Sequence, residues 1–119
     1  MNSYIESTSF FGNVSAEELA TKYGTPLYVY NERILRNSMR TVSKLIQGYR
    51  YVANYSMKAN SNLSILKIVN EEGLNADAMS EGEIRLLMKA GFSTDRIFFV
   101  PNNVSSQEMQ FAIYNGILV

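Results

Sequence analysis

The sequence contains no cysteine and no histidine. Without cysteine there is no disulfide framework, no thiolate zinc site and no cysteine nucleophile. Without histidine, a Ser-His-Asp triad, a histidine general base and a histidine metal ligand are excluded within the chain, and no metal site is expected. Neither sign of charge is in excess: eleven basic residues balance eleven acidic ones, with no block of like charge. No basic face for nucleic acid or for an anionic membrane surface is therefore expected. Apolar runs are short, far from the roughly 20 residues that a membrane-spanning helix needs. The opening MNSYIESTSFFG has an acidic residue, no basic one and no long apolar core, unlike a secretory signal, so a cytoplasmic location follows by default. Lysine, carboxylates, hydroxyls and tyrosine are what remains for catalysis. Lysine-centred chemistry gains weight from these absences alone.

With 119 residues, 46% of them hydrophobic, the chain has the means to bury a core in one domain and is too short for two comfortable ones. Ser15 with Glu18 three residues later marks a capped helix start, and Gly24 its end. Thr25-Pro26 leads into Leu27–Tyr30, a short β-rich run. Asn31 caps a segment in which Ile34, Leu35, Met39, Val42, Leu45 and Ile46 recur at helical spacing, which predicts a helix continuing to Gly48. A rhythm then sets in. Strand-like runs at 51–57, 75–79 and 96–100 alternate with helical segments at about 62–72, 80–90 and 105–115, which stop at Gly73, Gly91 and Gly116. Ile117-Leu118-Val119 begins a further strand.

Successive β-then-α units with short connections imply parallel strands joined by right-handed crossovers. A doubly wound nucleotide-binding sheet would place a glycine-rich loop after its first strand. Here that position reads KANSN, without glycine. The expected fold is therefore α/β, a partial (β/α)8 barrel of three to four units. A complete barrel has eight strands, so the chain reads as the front part of something longer.

In the run Tyr51–Lys58, alternation places Val52, Asn54, Ser56 and Lys58 on one face and Tyr51, Ala53, Tyr55 and Met57 on the other. The bulky set suits the helix layer and the smaller polar set the barrel interior. Lys58 then falls at the C-terminal mouth, where barrel active sites are built. An amine held there can form a Schiff base with an aldehyde or ketone; a strand-end lysine reaching for water is the plainer alternative. Asp77, 19 residues further on, is expected at the corresponding depth of the next strand, close enough to pair with the ammonium. Ser80 reads as the cap of the following helix with Glu83 as its capping-box partner. Asn102 and Asn103 fall at the mouth again, with turn formation as their simple explanation.

TPLYVYNE, YSMKAN, NADAMSEGEI and AGFSTDRIFFVPNNVS resemble the amino-terminal part of diaminopimelate decarboxylases. These are pyridoxal-phosphate enzymes with an alanine-racemase-like barrel, a group that includes ornithine and arginine decarboxylases. The resemblance runs from about Gly12 to Val119. It implies that Lys58 carries pyridoxal 5′-phosphate as a Schiff base and is catalytic, with Asp77 and Glu83 also near the cofactor. It further implies that residues 1–30, a helix and a strand that would join a carboxy-terminal β domain, associate with that domain and that residues 31–119 form the first part of the barrel. The implied activity is decarboxylation of meso-diaminopimelate to L-lysine by a homodimer when full length, acting on a small amino acid. The alternatives are another basic amino-acid decarboxylase or racemase of this barrel type, and a non-catalytic remnant acting through association. The family's phosphate loop, ring-stacking histidine and substrate contacts lie further on, so the 119-residue chain by itself is expected to be inactive.

Overall fold

Serine hydroxyls decide where three of the helices begin. In the computed structural model, which describes residues 10–119, the chain divides into two compact units, 1–38 and 39–119. The sequence reading of residues 1–9 as unlike a secretory signal lies outside the described residues. In the first unit, helix α1 (Ala16–Tyr23) starts on a complete capping box. The Ser15 hydroxyl accepts from the Glu18 amide at 3.1 Å, and the Glu18 carboxylate accepts from the Ser15 amide at 2.7 Å. Both satisfy amides that a helix start otherwise leaves unpaired. Gly24, at φ 82°, closes the helix. Residues 27–30, although rich in β-formers, are not a strand; a β-prone run becomes one only where a partner strand completes its ladder.

Helix α2 (Glu32–Val42) begins where Asn31 Oδ1 accepts from the Ile34 amide at 3.0 Å. It stops well short of Gly48, contrary to its apolar spacing, and a local hydrogen-bond exchange accounts for the difference. The Tyr51 hydroxyl donates to the Val42 carbonyl at 2.5 Å and accepts from the Ile46 amide at 3.2 Å. The helical ladder ends earlier, at the Ser43 amide on the Met39 carbonyl, because the Lys44 and Leu45 amides turn to the Thr41 and Val42 carbonyls at 3.1 and 3.2 Å; the Tyr51 hydroxyl then links the Val42 carbonyl to the Ile46 amide in this non-helical turn. Leu45 and Ile46 are 73% and 51% exposed, and a turn that buries so little has little packing to hold it helical.

The second unit carries the barrel segment. Strands β1 (Asn54–Ser56), β2 (Asn75–Ala78) and β3 (Ile97–Phe99) are parallel and lie in the order in which they occur in the chain. This order, with no reversal, is that of a singly wound barrel and not of a doubly wound sheet. The ladders set Asn54 against Asn75, Ser56 against Asp77 and Asp77 against Phe98. A single parallel bridge, Phe98 to Leu118, starts a fourth strand position. Helices α3 (Leu63–Glu71), α4 (Glu81–Lys89) and α5 (Ser106–Tyr114) follow β1, β2 and β3 in turn.

The core lies between these helices and one face of the sheet. Ala76, Ala78, Ile97 and Phe99 on the strands are buried with Leu66, Val69, Ile84, Leu87 and Ala112 on the helices. Alternation sends Asn54, Ser56, Asn75, Asp77 and Phe98 to the opposite face, and all of these are half-buried or exposed. At the lower end of the sheet, the Arg96 guanidinium donates to Asn70 Oδ1 at 2.7 Å and to the Leu74 carbonyl at 2.5 Å. Arg40 grips the Glu72 carboxylate with two nitrogens, at 2.7 and 2.8 Å, tying the last turn of α2 to the end of α3. Among the described residues, no helix is long and apolar enough to cross a membrane.

Candidate active site

The segment YSMKAN occupies the end of β1 and the turn that leaves it. Met57–Ala59 form one turn of 3₁₀ helix, so Lys58 sits just past the strand and not within it. Met57 is fully buried, whereas Lys58 is exposed. The turn is fastened at both ends. The Asn60 amide donates to the Met57 carbonyl at 3.1 Å, and the Tyr55 hydroxyl donates to the Asn60 carbonyl at 3.0 Å. Asn60 Oδ1 in turn accepts from the Asn62 amide at 3.0 Å, and Asn62 caps α3 by accepting from the Ser64 amide at 2.9 Å. Polar residues around the lysine thus fix the backbone that presents it, and the lysine itself is left to solvent.

The register corrects the expected partner of Asp77. The offset from β1 to β2 is 21 residues, since Ser56 pairs with Asp77, and not the 19 that would set Lys58 beside it. Among the described residues no ion pair joins Lys58 to Asp77. The Asp77 carboxylate is engaged by Ser56 instead, whose hydroxyl donates to Oδ1 at 2.9 Å. Lys58 and Asp77 nonetheless lie at the ends of neighbouring strands, at the C-terminal side of the sheet, where barrel enzymes place their chemistry.

Glu83 also departs from its expected partner. Ser80 caps α4 as expected, its hydroxyl accepting from the Glu83 amide at 3.2 Å. The Glu83 carboxylate, however, accepts from the Met79 amide at 2.6 Å, and not from Ser80. The reciprocal box is displaced by one residue, and its effect is to pin the backbone just after β2, two residues from Asp77. Asn102 and Asn103 lie in the bend that follows β3, with Asn103 at φ 58°, a conformation that asparagine tolerates better than most residues. Turn geometry accounts for them.

Alternation places Ser56 on the observed face without giving it a role, and nothing in the pattern singles out the Tyr55 hydroxyl. The alternation that groups Ser56 with Lys58 was the available signal for the serine; the two-residue error in register hid its partner.

Parallel strands in chain order, with a lysine turn and a carboxylate at their C-terminal ends, define part of an α/β barrel with its site at the strand mouth. The chain belongs to the pyridoxal-dependent decarboxylases: residues 32–119 match the family model described as pyridoxal-dependent decarboxylase, pyridoxal binding domain. The diaminopimelate decarboxylase of Methanothermobacter thermautotrophicus is 43% identical over 110 residues, which are 91% of this chain and 26% of that protein. The Bacillus subtilis diaminopimelate decarboxylase is 37% identical over 108 residues, 89% of this chain and 25% of that one. The crystal structure of Helicobacter pylori diaminopimelate decarboxylase complexed with L-lysine is similar with a TM-score of 0.82 at 34% identity, covering 87% of this chain and 26% of the other. The chain spans about a quarter of the length of these relatives.

Proposed function

We propose that this chain supplies the front of the barrel of a pyridoxal-phosphate-dependent decarboxylase that converts meso-diaminopimelate to L-lysine, with Lys58 holding the cofactor. The observation that carries this reading is the presentation of Lys58: an exposed amine on a hydrogen-bonded turn at the C-terminal end of β1. The donor set fits the group. An aldehyde needs a primary amine, which Lys58 supplies by condensation with loss of water. A cationic centre formed there needs a nearby anion, which Asp77 supplies from the adjacent strand. When bound, pyridoxal phosphate provides an electron sink for the pair left as the bond from the α-carbon to the carboxylate breaks.

The chain's own residues hold and orient. Tyr55 and Asn60 keep the lysine turn in one conformation, so that Nζ meets the cofactor without first ordering the backbone. Glu83 fixes the Met79 amide and with it the exit of β2. Asp77 and Glu83 both belong near the cofactor in this reading, Asp77 as a contact and Glu83 as a support of the loop. Residues 1–30 belong with a β domain and residues 31–119 with the barrel of a cytoplasmic homodimer. The choice of diaminopimelate over ornithine or arginine follows the two curated relatives above, which are both named for it.

A chimera tests this directly. The front segment of the B. subtilis enzyme is replaced by residues 12–119 of this chain, and lysine formation from meso-diaminopimelate is measured. We expect activity that disappears with Lys58→Ala. A chimera that folds and binds pyridoxal phosphate but forms no lysine, or prefers ornithine, would overturn the assignment.

A further inference from the structure

Ser56 lies two residues before Lys58, faces Asp77 in the ladder and donates its only hydroxyl proton to Asp77 Oδ1 at 2.9 Å. We infer that Ser56 is a positioning residue for cofactor capture, acting through Asp77. This rests on the reading of Lys58 as the cofactor lysine. An aspartate side chain on an open strand face rotates readily about its terminal torsion. A serine on the neighbouring strand, about 4.8 Å away, selects one arrangement by engaging one oxygen. Among the described residues the Asp77 carboxylate has no other side-chain partner. Oδ2 is then held in place to accept from a cationic or N–H or O–H donor on the group that Lys58 binds. The hydroxyl adds no charge of its own to the site. Its contribution is to make the aspartate's charge available in one direction, in advance of the ligand.

Alanine at this position would leave the strand intact and release the carboxylate. Threonine would keep the hydroxyl and suits a strand at least as well as serine. The pair Ser56→Ala and Ser56→Thr therefore separates the hydroxyl from the fold.

The experiment incubates the 119-residue chain with pyridoxal 5′-phosphate at increasing concentration, reduces the C=N bond with borohydride and maps the modified lysine by mass spectrometry. Wild type, Ser56→Ala, Ser56→Thr, Asp77→Asn and the Ser56→Ala/Asp77→Asn double variant are compared. The visible absorption of the lysine-bound pyridoxal is recorded before reduction. We expect capture at Lys58, weakened on the order of fivefold by Ser56→Ala, the scale of one ordinary intramolecular hydrogen bond. Ser56→Thr should retain both the affinity and the wild-type absorption. On the Asp77→Asn background, Ser56→Ala should add nothing, because its effect passes through the carboxylate. Equal capture by wild type and Ser56→Ala, or additive losses in the double variant, would overturn the inference while leaving Lys58 as the cofactor lysine. Thermal unfolding in parallel identifies a merely structural serine, whose loss would lower stability and capture together whatever stands at position 77. Modification spread equally over Lys22, Lys44, Lys67 and Lys89 would instead overturn the functional reading itself.

Discussion

Arg96 should be the costliest polar residue to remove from the barrel segment. Its guanidinium donates to Asn70 Oδ1 at 2.7 Å, to the Asn70 carbonyl at 3.2 Å and to the Leu74 carbonyl at 2.5 Å, and lies 5.4 Å from the Phe92 ring centroid. The Asn70 carbonyl also accepts from the Gly73 amide at 3.1 Å, so it loses least. The Leu74 carbonyl and the Asn70 side chain lose a charged donor in a half-buried setting, at about 1 kcal/mol each. The ring contact adds about 0.5 kcal/mol. Arg96→Met, which keeps an apolar stem, should therefore cost about 2–3 kcal/mol, measured as a lowered urea midpoint at unchanged slope. Arg96→Lys should recover little of it, because a point-like ammonium cannot serve separated acceptors as a planar fork does. The amide of Asn75, which pairs with the Ala53 carbonyl at 3.0 Å and opens β2, should lose protection in hydrogen exchange. A cost below about 0.5 kcal/mol, the scatter of ordinary surface substitutions, or full recovery by lysine, would refute the idea that one side chain fastens the end of α3 to the entry of β3.

Three other outcomes follow from the same geometry. Gly91 has φ 97°, and a Cβ built there would lie 3.1 Å from Asn70 Nδ2; Gly91→Ala should cost about 1–2 kcal/mol in thermal or urea unfolding and be non-additive with Arg96→Met, since both act on Asn70. Tyr51→Phe removes the hydroxyl that joins the Val42 carbonyl to the Ile46 amide, so the Ile46 amide should lose protection in hydrogen exchange while α2 keeps its end; unchanged protection would count against the hydroxyl as its partner. The amide and hydroxyl of Ser105 hold the Glu108 carboxyl below its ordinary value of 4.5, with a smaller effect of the Glu81 amide. Because the folded value is the lower one, the contribution of this cap to stability is present above the unfolded value and is lost as pH falls through the folded value. A melting-temperature profile of Glu108→Gln should therefore converge with wild type in acid and fall below it near neutrality.

The positions of the helices were legible because their signals are local. Ser80, Ser105 and Asn62 each cap within one turn of the residue they serve, and Gly73, Gly91 and Gly116 adopt the positive φ values that their place after a helix requires. What failed depended on distant partners. Leu27–Tyr30 has β-prone residues, yet no residue of that run can supply its own ladder. Val42–Gly48 has helical spacing, yet its Lys44 and Leu45 amides turn to the carbonyls three residues back, and Tyr51, outside the helix pattern, holds the Val42 carbonyl and the Ile46 amide in that turn. The site shows the same division. Lys58 could be found from the strand that precedes it, because a strand end is a local feature. Its relation to Asp77 could not, because register is a property of two strands and an error of two residues keeps every side chain on its expected face. Alternation alone therefore could not separate an Asp77 facing Lys58 from one facing Ser56. Only the pairing of the strands makes that distinction, and it moves the first partner of the aspartate from the lysine to the serine.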